Sequence, residues 1–212
     1  MNDLMAELER VRRRVDSAEV PAGPGHLVEL SRVYDAPVED VWDACTDPER
    51  VGRWFLPLTG DLRLGGRFQL EGNAGGQITE CEPPNRLAVT WVFGDAVSLV
   101  RVDLTGLADG GTELRLRHAV SDDDHWAQFG PGATGVGWDL TLLGLDFFLS
   151  TREPAPDAVR LGTDPVVPAL MRRSAQEWGR AHEAAGAPAT QAQDAAGRTS
   201  AAYAPDPQVA PD

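Results

Sequence analysis

The stretch that decides the fold is "VGWDLTLLGLDFFLS", residues 136–150. Read at helical spacing, Trp138, Leu142, Leu145 and Leu149 share one face, while Val136, Leu140, Leu143 and Phe147 share another. A helix apolar nearly all round has to be covered on both sides. The covering material precedes it. Six strand-length segments, "DLRL", "GRFQLEG", "GQITECE", "RLAVTWVF", "AVSLVRVDLTG" and "TELRLRHAV", are separated by "LGG", "GNAGG", "EPPN", "GD" and "ADGG". Links this short favour antiparallel hairpins over crossovers. The chain therefore reads as α+β, with an antiparallel meander followed by a long apolar helix.

Working outward, "HLVELSRVYDA" (26–36) alternates with period two and predicts a first strand with both faces partly covered. Pro37 opens a short helix that presents Val38, Val41, Trp42 and Cys45 on one side. "TDP" ends that helix, because a residue before proline avoids the helical basin. Asp47 then caps a second short helix, with Pro48 at its first position and Val51, Trp54 and Phe55 facing inward. At the amino terminus, Leu4, Leu8, Val11 and Val15 predict an amphipathic helix over 3–18, and "PAGPG" (21–25) predicts a linker. Beyond the long helix, residues 165–184 predict a further helix bearing Val167, Leu170, Met171 and Trp178. From residue 187 the Ala, Pro and polar composition predicts a disordered tail. The expected organisation is an amino-terminal arm (1–25), a main domain (26–150), an added helical segment (151–186) and the tail (187–212).

Composition narrows the function classes. The 212 residues are 42% hydrophobic and 25% charged, values of a globular protein. A formal net charge of −14 repels phosphate backbones and anionic leaflets, so neither nucleic acid nor membrane is an expected partner. Cys45 and Cys81 are the only cysteines; they lack redox or zinc spacing and read as small apolar fillers. The charged amino terminus has no apolar signal region, and no run approaches the roughly 20 residues of a membrane span, so a cytoplasmic location is expected.

Strand, two short helices, curled meander and long helix make the order of a helix-grip fold. "VELSRVYDAPVEDVWDACTDPERVGRWF", "LGGRFQL", "GQITECEPPNRLAVTW", "TELRLRH" and "GWDLTLLGL", in that order, resemble the branch of the START and Bet v 1-like (SRPBCC) superfamily named for the activator of heat-shock-protein-90 ATPase. The resemblance covers roughly residues 27–149. It implies an apolar cavity between the concave sheet and the long helix, where members of the superfamily bind lipids, sterols, polyketides or other apolar ligands. Some use that cavity as a cyclase site.

Within this frame the candidate ligand-binding residues are Trp54, Phe68, Trp91, His118, Trp138, Leu142 and Leu145. Alternation places His118 on the face of Leu114, Leu116 and Val120, and it matches a histidine that recurs at this strand in the resembled family. It could hydrogen-bond the polar end of a ligand; the plainer reading is a core histidine satisfied by a neighbouring carbonyl or hydroxyl. Trp42 is assigned to the core. The carboxylates of "SDDDHW" (121–126) lack the spacing of a calcium loop and read as a solvated loop. Asp139 and Asp146 are expected to flank the apolar faces of the long helix, and "GPGATGVG" (130–137) reads as a mobile lead-in to it. No catalytic motif, metal site or cofactor signature is present. The expected function is binding of a small apolar molecule, as carrier or sensor. The alternatives are a cochaperone-like module acting on a chaperone ATPase or, last, a cyclase- or hydratase-type enzyme; beside the small apolar molecule, the candidate partners are a chaperone or a second copy of the chain.

Overall fold

The computed structural model describes residues 4–154, 164 and 166–205. Helix α1 (Leu4–Glu9) leads into β1 (Arg12–Val20) and β2 (Gly23–Tyr34). Helices α2 (Val38–Thr46) and α3 (Pro48–Trp54) follow. Then come β3 (Leu58–Gly60), β4 (Arg67–Leu70), β5 (Gly75–Glu82), β6 (Arg86–Phe93), β7 (Ala96–Gly106) and β8 (Thr112–Ser121). Helices α4 (Asp124–Phe129), α5 (Gly132–Thr151), α6 (Val166–Ala184) and α7 (Ala189–Tyr203) complete the chain. The eight strands form one antiparallel sheet in the order β1-β2-β8-β7-β6-β5-β4-β3, so the first hairpin joins the last strand and the meander closes on itself as far as an open sheet can. Helix α5 lies across the concave side. This is the helix-grip arrangement that the long apolar segment requires.

Both faces of α5 are covered, by different elements. Leu142, Leu145, Phe148 and Leu149 join the core cluster that includes Leu30, Leu114 and Leu116 of the sheet and Val41 and Trp54 of α2 and α3. On the other side Leu143 packs with Leu8 of α1 and Leu170 of α6. The short helices form as expected. Asp47 accepts hydrogen bonds from the Glu49 and Arg50 amides at 2.8 and 3.2 Å, and Pro48 occupies the first turn of α3.

Six local expectations are corrected. The helix expected over 3–18 stops at Glu9, and Arg12–Val20 is a strand paired with β2 through Val15↔Val28 and Val20↔Gly23. Of "PAGPG", Pro21 and Ala22 make a tight hairpin turn and Gly23–Gly25 begin β2. Val11, Arg13 and Val15 all turn inward, which only a period of two allows, and Arg13 does so because a carboxylate awaits it. The expected strand "DLRL" is instead a loop after β3, closed by the Gly65 amide donating to Ile78 O at 2.8 Å, with Gly65 at φ 81°.

Downstream, the acidic loop contains α4, capped by Asp123 and anchored by buried Trp126, and the lead-in "GPGATGVG" is largely the first turns of α5. Its glycines serve close packing: a Cβ on Gly135 would lie 2.1 Å from the Trp178 ring. Finally, the tail expected to be disordered carries α7, which buries Ala192, Ala195 and Thr199. Small side chains let it approach closely, and Thr199 Oγ1 donates to Phe129 O (3.3 Å) and Ala195 O (2.9 Å).

Candidate functional site

Between the concave sheet and α5 lies a cavity of about 350 Å³. Six of the seven candidates line it. Trp54 comes from α3, Phe68 from β4, Trp91 from β6, and Trp138, Leu142 and Leu145 from α5. Their convergence follows from local geometry. Strand alternation turns Phe68 and Leu70 inward from β4, and Val89 and Trp91 inward from β6, while helical spacing brings Trp138, Leu142 and Leu145 to one face. The rings form a continuous arc: Phe68 to Trp91 at 6.1 Å between centroids, Trp91 to Trp138 at 5.2 Å, Trp138 to Phe55 at 6.5 Å, and Phe55 to Trp54 at 5.7 Å.

The seventh candidate, His118, is absent from the wall and stands one layer behind it. Trp138 Nε1 donates to His118 Nδ1 at 3.0 Å, and His118 Nε2 lies 2.8 Å from Ser98 Oγ. Ser98 Oγ in turn donates to Trp91 O at 3.1 Å. One assignment satisfies every group: Nδ1 is the acceptor, Nε2 carries the proton and gives it to Ser98, and Ser98 passes its own hydrogen to the backbone. Burial drives the pKa of this ring down to about 4, so it is neutral. The geometry matches the plainer of the two readings. With both nitrogens engaged, His118 orients the Trp138 indole that faces the cavity.

Several wall residues escaped sequence reasoning. Trp42, assigned to the core, lines the cavity alongside Phe55, Cys45 and Cys81. Its position on the same face as Cys45 was visible, but which side of α2 would meet empty space was not. Burial pushes the Cys45 thiol up to about 12 and keeps it protonated. Ser98 is the one polar residue on the inward face of β7; its role depends on Val100 standing opposite His118, a register that only the paired strands define.

Neither Asp139 nor Asp146 lines the cavity; Asp139 ties α5 to β1 and α6, and Asp146 ties it to β2. The carboxylate of Asp139, fully buried, receives Arg13 Nε and Nη2 at 3.0 Å each, Ser174 Oγ at 2.5 Å and Trp178 Nε1 at 3.0 Å. Burial raises its pKa while the arginine and the two neutral donors oppose that rise. All four partners are donors, so the ionised form is the one the geometry satisfies. Asp146 and Glu7 both pair with the buried guanidinium of Arg32, at 2.7 and 2.6 Å. Among the described residues no cluster of three or more His, Cys, Asp or Glu could hold a metal ion, and no helix is long and apolar enough to cross a membrane.

Fold and cavity together define a helix-grip protein of the SRPBCC superfamily. Residues 35–149 match the family model described as "Activator of Hsp90 ATPase homolog 1-like protein", and the chain belongs to that family. Among solved structures it is similar to CalU16 from Micromonospora echinospora. The solution structure of that protein shares 34% identity at a TM-score of 0.72, covering 83% of this chain and 97% of CalU16. Its crystal structure gives 38% identity and a TM-score of 0.60 over 76% and 98% of the two chains. DynU16, a protein of the dynemicin biosynthetic locus, shares 27% identity at a TM-score of 0.53, covering 60% of this chain and 48% of that one. No curated protein matches the chain.

Proposed function

We propose that the chain binds a small apolar molecule in the cavity between sheet and α5, acting as a carrier or sensor. The observation that carries this reading is the cavity itself: about 350 Å³ of space, walled by aromatic and aliphatic side chains. Such a volume is within the usual range for ligand pockets, about 300–1,000 Å³, and water gains little from an oily wall. Similarity to DynU16, from the dynemicin biosynthetic locus, fits a protein that meets a biosynthetic small molecule. Among the described lining residues there is no nucleophile–base pair, which favours holding a guest over transforming it.

The test uses Nile red, an uncharged dye whose emission rises in apolar surroundings. Saturable binding to the full chain is expected. Val89→Phe, which places a ring into the cavity from β6, should weaken it at least about tenfold with an unchanged circular dichroism spectrum. Dye binding indifferent to that substitution would place the dye elsewhere and remove the reading. The family description names Hsp90 ATPase activation, and this favours a second reading as a chaperone-directed module. Stimulation of Hsp90 ATP hydrolysis by the purified chain, undiminished in Val89→Phe, would support that second reading in place of the first.

A further inference from the structure

A second cleft, of about 650 Å³, opens where the β1–β2 hairpin meets α4, the carboxyl end of α6 and the amino end of α7. It shares no lining residue with the first cavity. Much of its wall lies outside the matched residues 35–149, with Arg14, Ser17 and His26 before them and His182 and Gln191 after them.

The acceptors around this cleft are already committed. Asp16 accepts from Arg14 and from the Ser17 amide, the latter at 2.9 Å, and Asp122 Oδ1 lies 3.1 Å from His26 Nε2. The end of α6 is closed: the Ala185 and Ala187 amides donate to His182 O at 3.2 Å each, and the Gly186 amide to Glu183 O at 2.9 Å. The open groups are donors. Pro188 begins α7 without a side-chain cap, so among the described residues the first-turn amides of Ala189, Thr190 and Gln191 have no partner.

Bulk water would satisfy exposed amides, and a helix end alone specifies nothing. His182 is what points to a guest. It is 8% exposed, and neither imidazole nitrogen has a hydrogen-bond partner among the described residues. Nδ1 is sealed; a Cβ on Gly130 would lie 3.0 Å from it. A sealed nitrogen costs less as a lone pair than as an N–H, so the proton belongs on Nε2, which is not sealed, on a ring that borders the cleft. Burial and the neighbouring His26 lower the pKa of this ring, which keeps it neutral at pH 8. Donors around a cleft with no unpaired carboxylate suit an oxygen-rich negative group. Trp126, stacked on His26 at 3.8 Å between centroids, and the alanines beside it leave apolar wall for a hydrocarbon body.

We propose that this cleft binds a small organic molecule through an oxyanion, phosphate or carboxylate, held by the first-turn amides of α7 and by His182 Nε2. The site is independent of the role proposed for the first cavity.

Phenyl phosphate and benzoate, with benzyl alcohol as the uncharged control, are titrated into the full chain by calorimetry at pH 8. Salt of about 0.15 M screens the chain's net charge of −14 beyond roughly 8 Å. At least one anion should bind saturably, one per chain, about tenfold or more tightly than the alcohol, and the tighter of the two identifies the group. Pro188→Asp places a carboxylate at the cap of α7, where it takes the free amides and repels the guest. It should weaken binding at least about tenfold while raising the thermal midpoint, which separates lost binding from lost folding. His182→Phe keeps a ring and removes the sealed nitrogen; it should weaken binding about three- to tenfold without lowering the urea midpoint. Val89→Phe, which fills the first cavity, should leave anion binding unchanged. Failure of both anions to bind, binding unmoved by Pro188→Asp, or binding lost in Val89→Phe would overturn the proposal, and none of these would touch Nile red binding in the first cavity.

Discussion

Acidification from pH 8 to pH 4.5 should destabilise the protein through one ring. His118 is 7% exposed, and its nearest polar neighbours are Ser98 and the Trp138 indole, with Val28 and Val100 opposite it on the flanking strands. No charge is available to favour an imidazolium, and burial takes the pKa from 6.5 to about 4. The unfolded chain therefore binds a proton that the folded chain refuses. Stability is complete above pH 6.5 and is lost as the pH falls from 6.5 towards 4. The loss reaches about 2.5 kcal/mol at pH 4.5 and roughly 3 kcal/mol below pH 4.

His182 is shifted down by burial and by His26, so it adds a loss of the same sign, whereas burial raises Asp139 and Asp146 and they oppose it. His118→Gln isolates the ring: its carbonyl can accept from Trp138 and its amide can donate to Ser98, but it does not titrate. Urea unfolding of both proteins at half-unit steps from pH 8 to 4.5 should show the wild type losing about 2.5 kcal/mol more than the variant. Parallel curves, or a His118 imidazole resonance, identified by its loss in His118→Gln, that titrates near 6.5, would refute the reasoning.

Asp139→Asn should cost about 3–5 kcal/mol, read as a lower urea midpoint, because it leaves the buried Arg13 guanidinium without its counter-charge. Two glycines of α5 should respond with opposite signs to alanine. Gly135→Ala drives a methyl into the fully buried Trp178 ring, which Asp139 holds in place, and should lose about 1–3 kcal/mol. Gly137→Ala meets nothing within 4 Å and should gain about 0.5–1 kcal/mol from helix propensity. A rise in thermal midpoint for the first, or a fall for the second, would contradict the packing of α5 against α6.

How far the sequence could be read depended on whether a signal was local. The period of α5, the alternation of β6 and β8, and the Asp47–Pro48 cap are written in adjacent residues, and the structure contains all of them. Six cavity residues were legible for the same reason, since strand and helix periods fix which way Phe68, Trp91 and Leu142 turn. The amino-terminal hairpin was not, because Leu4, Leu8, Val11 and Val15 satisfy a helical period while the inward set Val11, Arg13 and Val15 includes a charge. Its justification lies 126 residues away at Asp139. Helix α7 was missed because it packs through alanines and Thr199, which carry no large apolar signal. The pairing of His118 with Ser98 and Trp138 needed sheet register and the placement of α5, neither of which is a property of a short window.

The Arg13–Asp139 contact sets kinship apart from cooperativity. The family match begins at residue 35, yet β1 and β2 complete the sheet beside β8, and Arg13, Ser174 and Trp178 all close upon a carboxylate within the matched portion. Excising residues 35–149 would strand that anion and bare a flank of the gripping rod. The matched segment is thus an incomplete folding unit, and the elements that flank it are structural partners expected to melt with it.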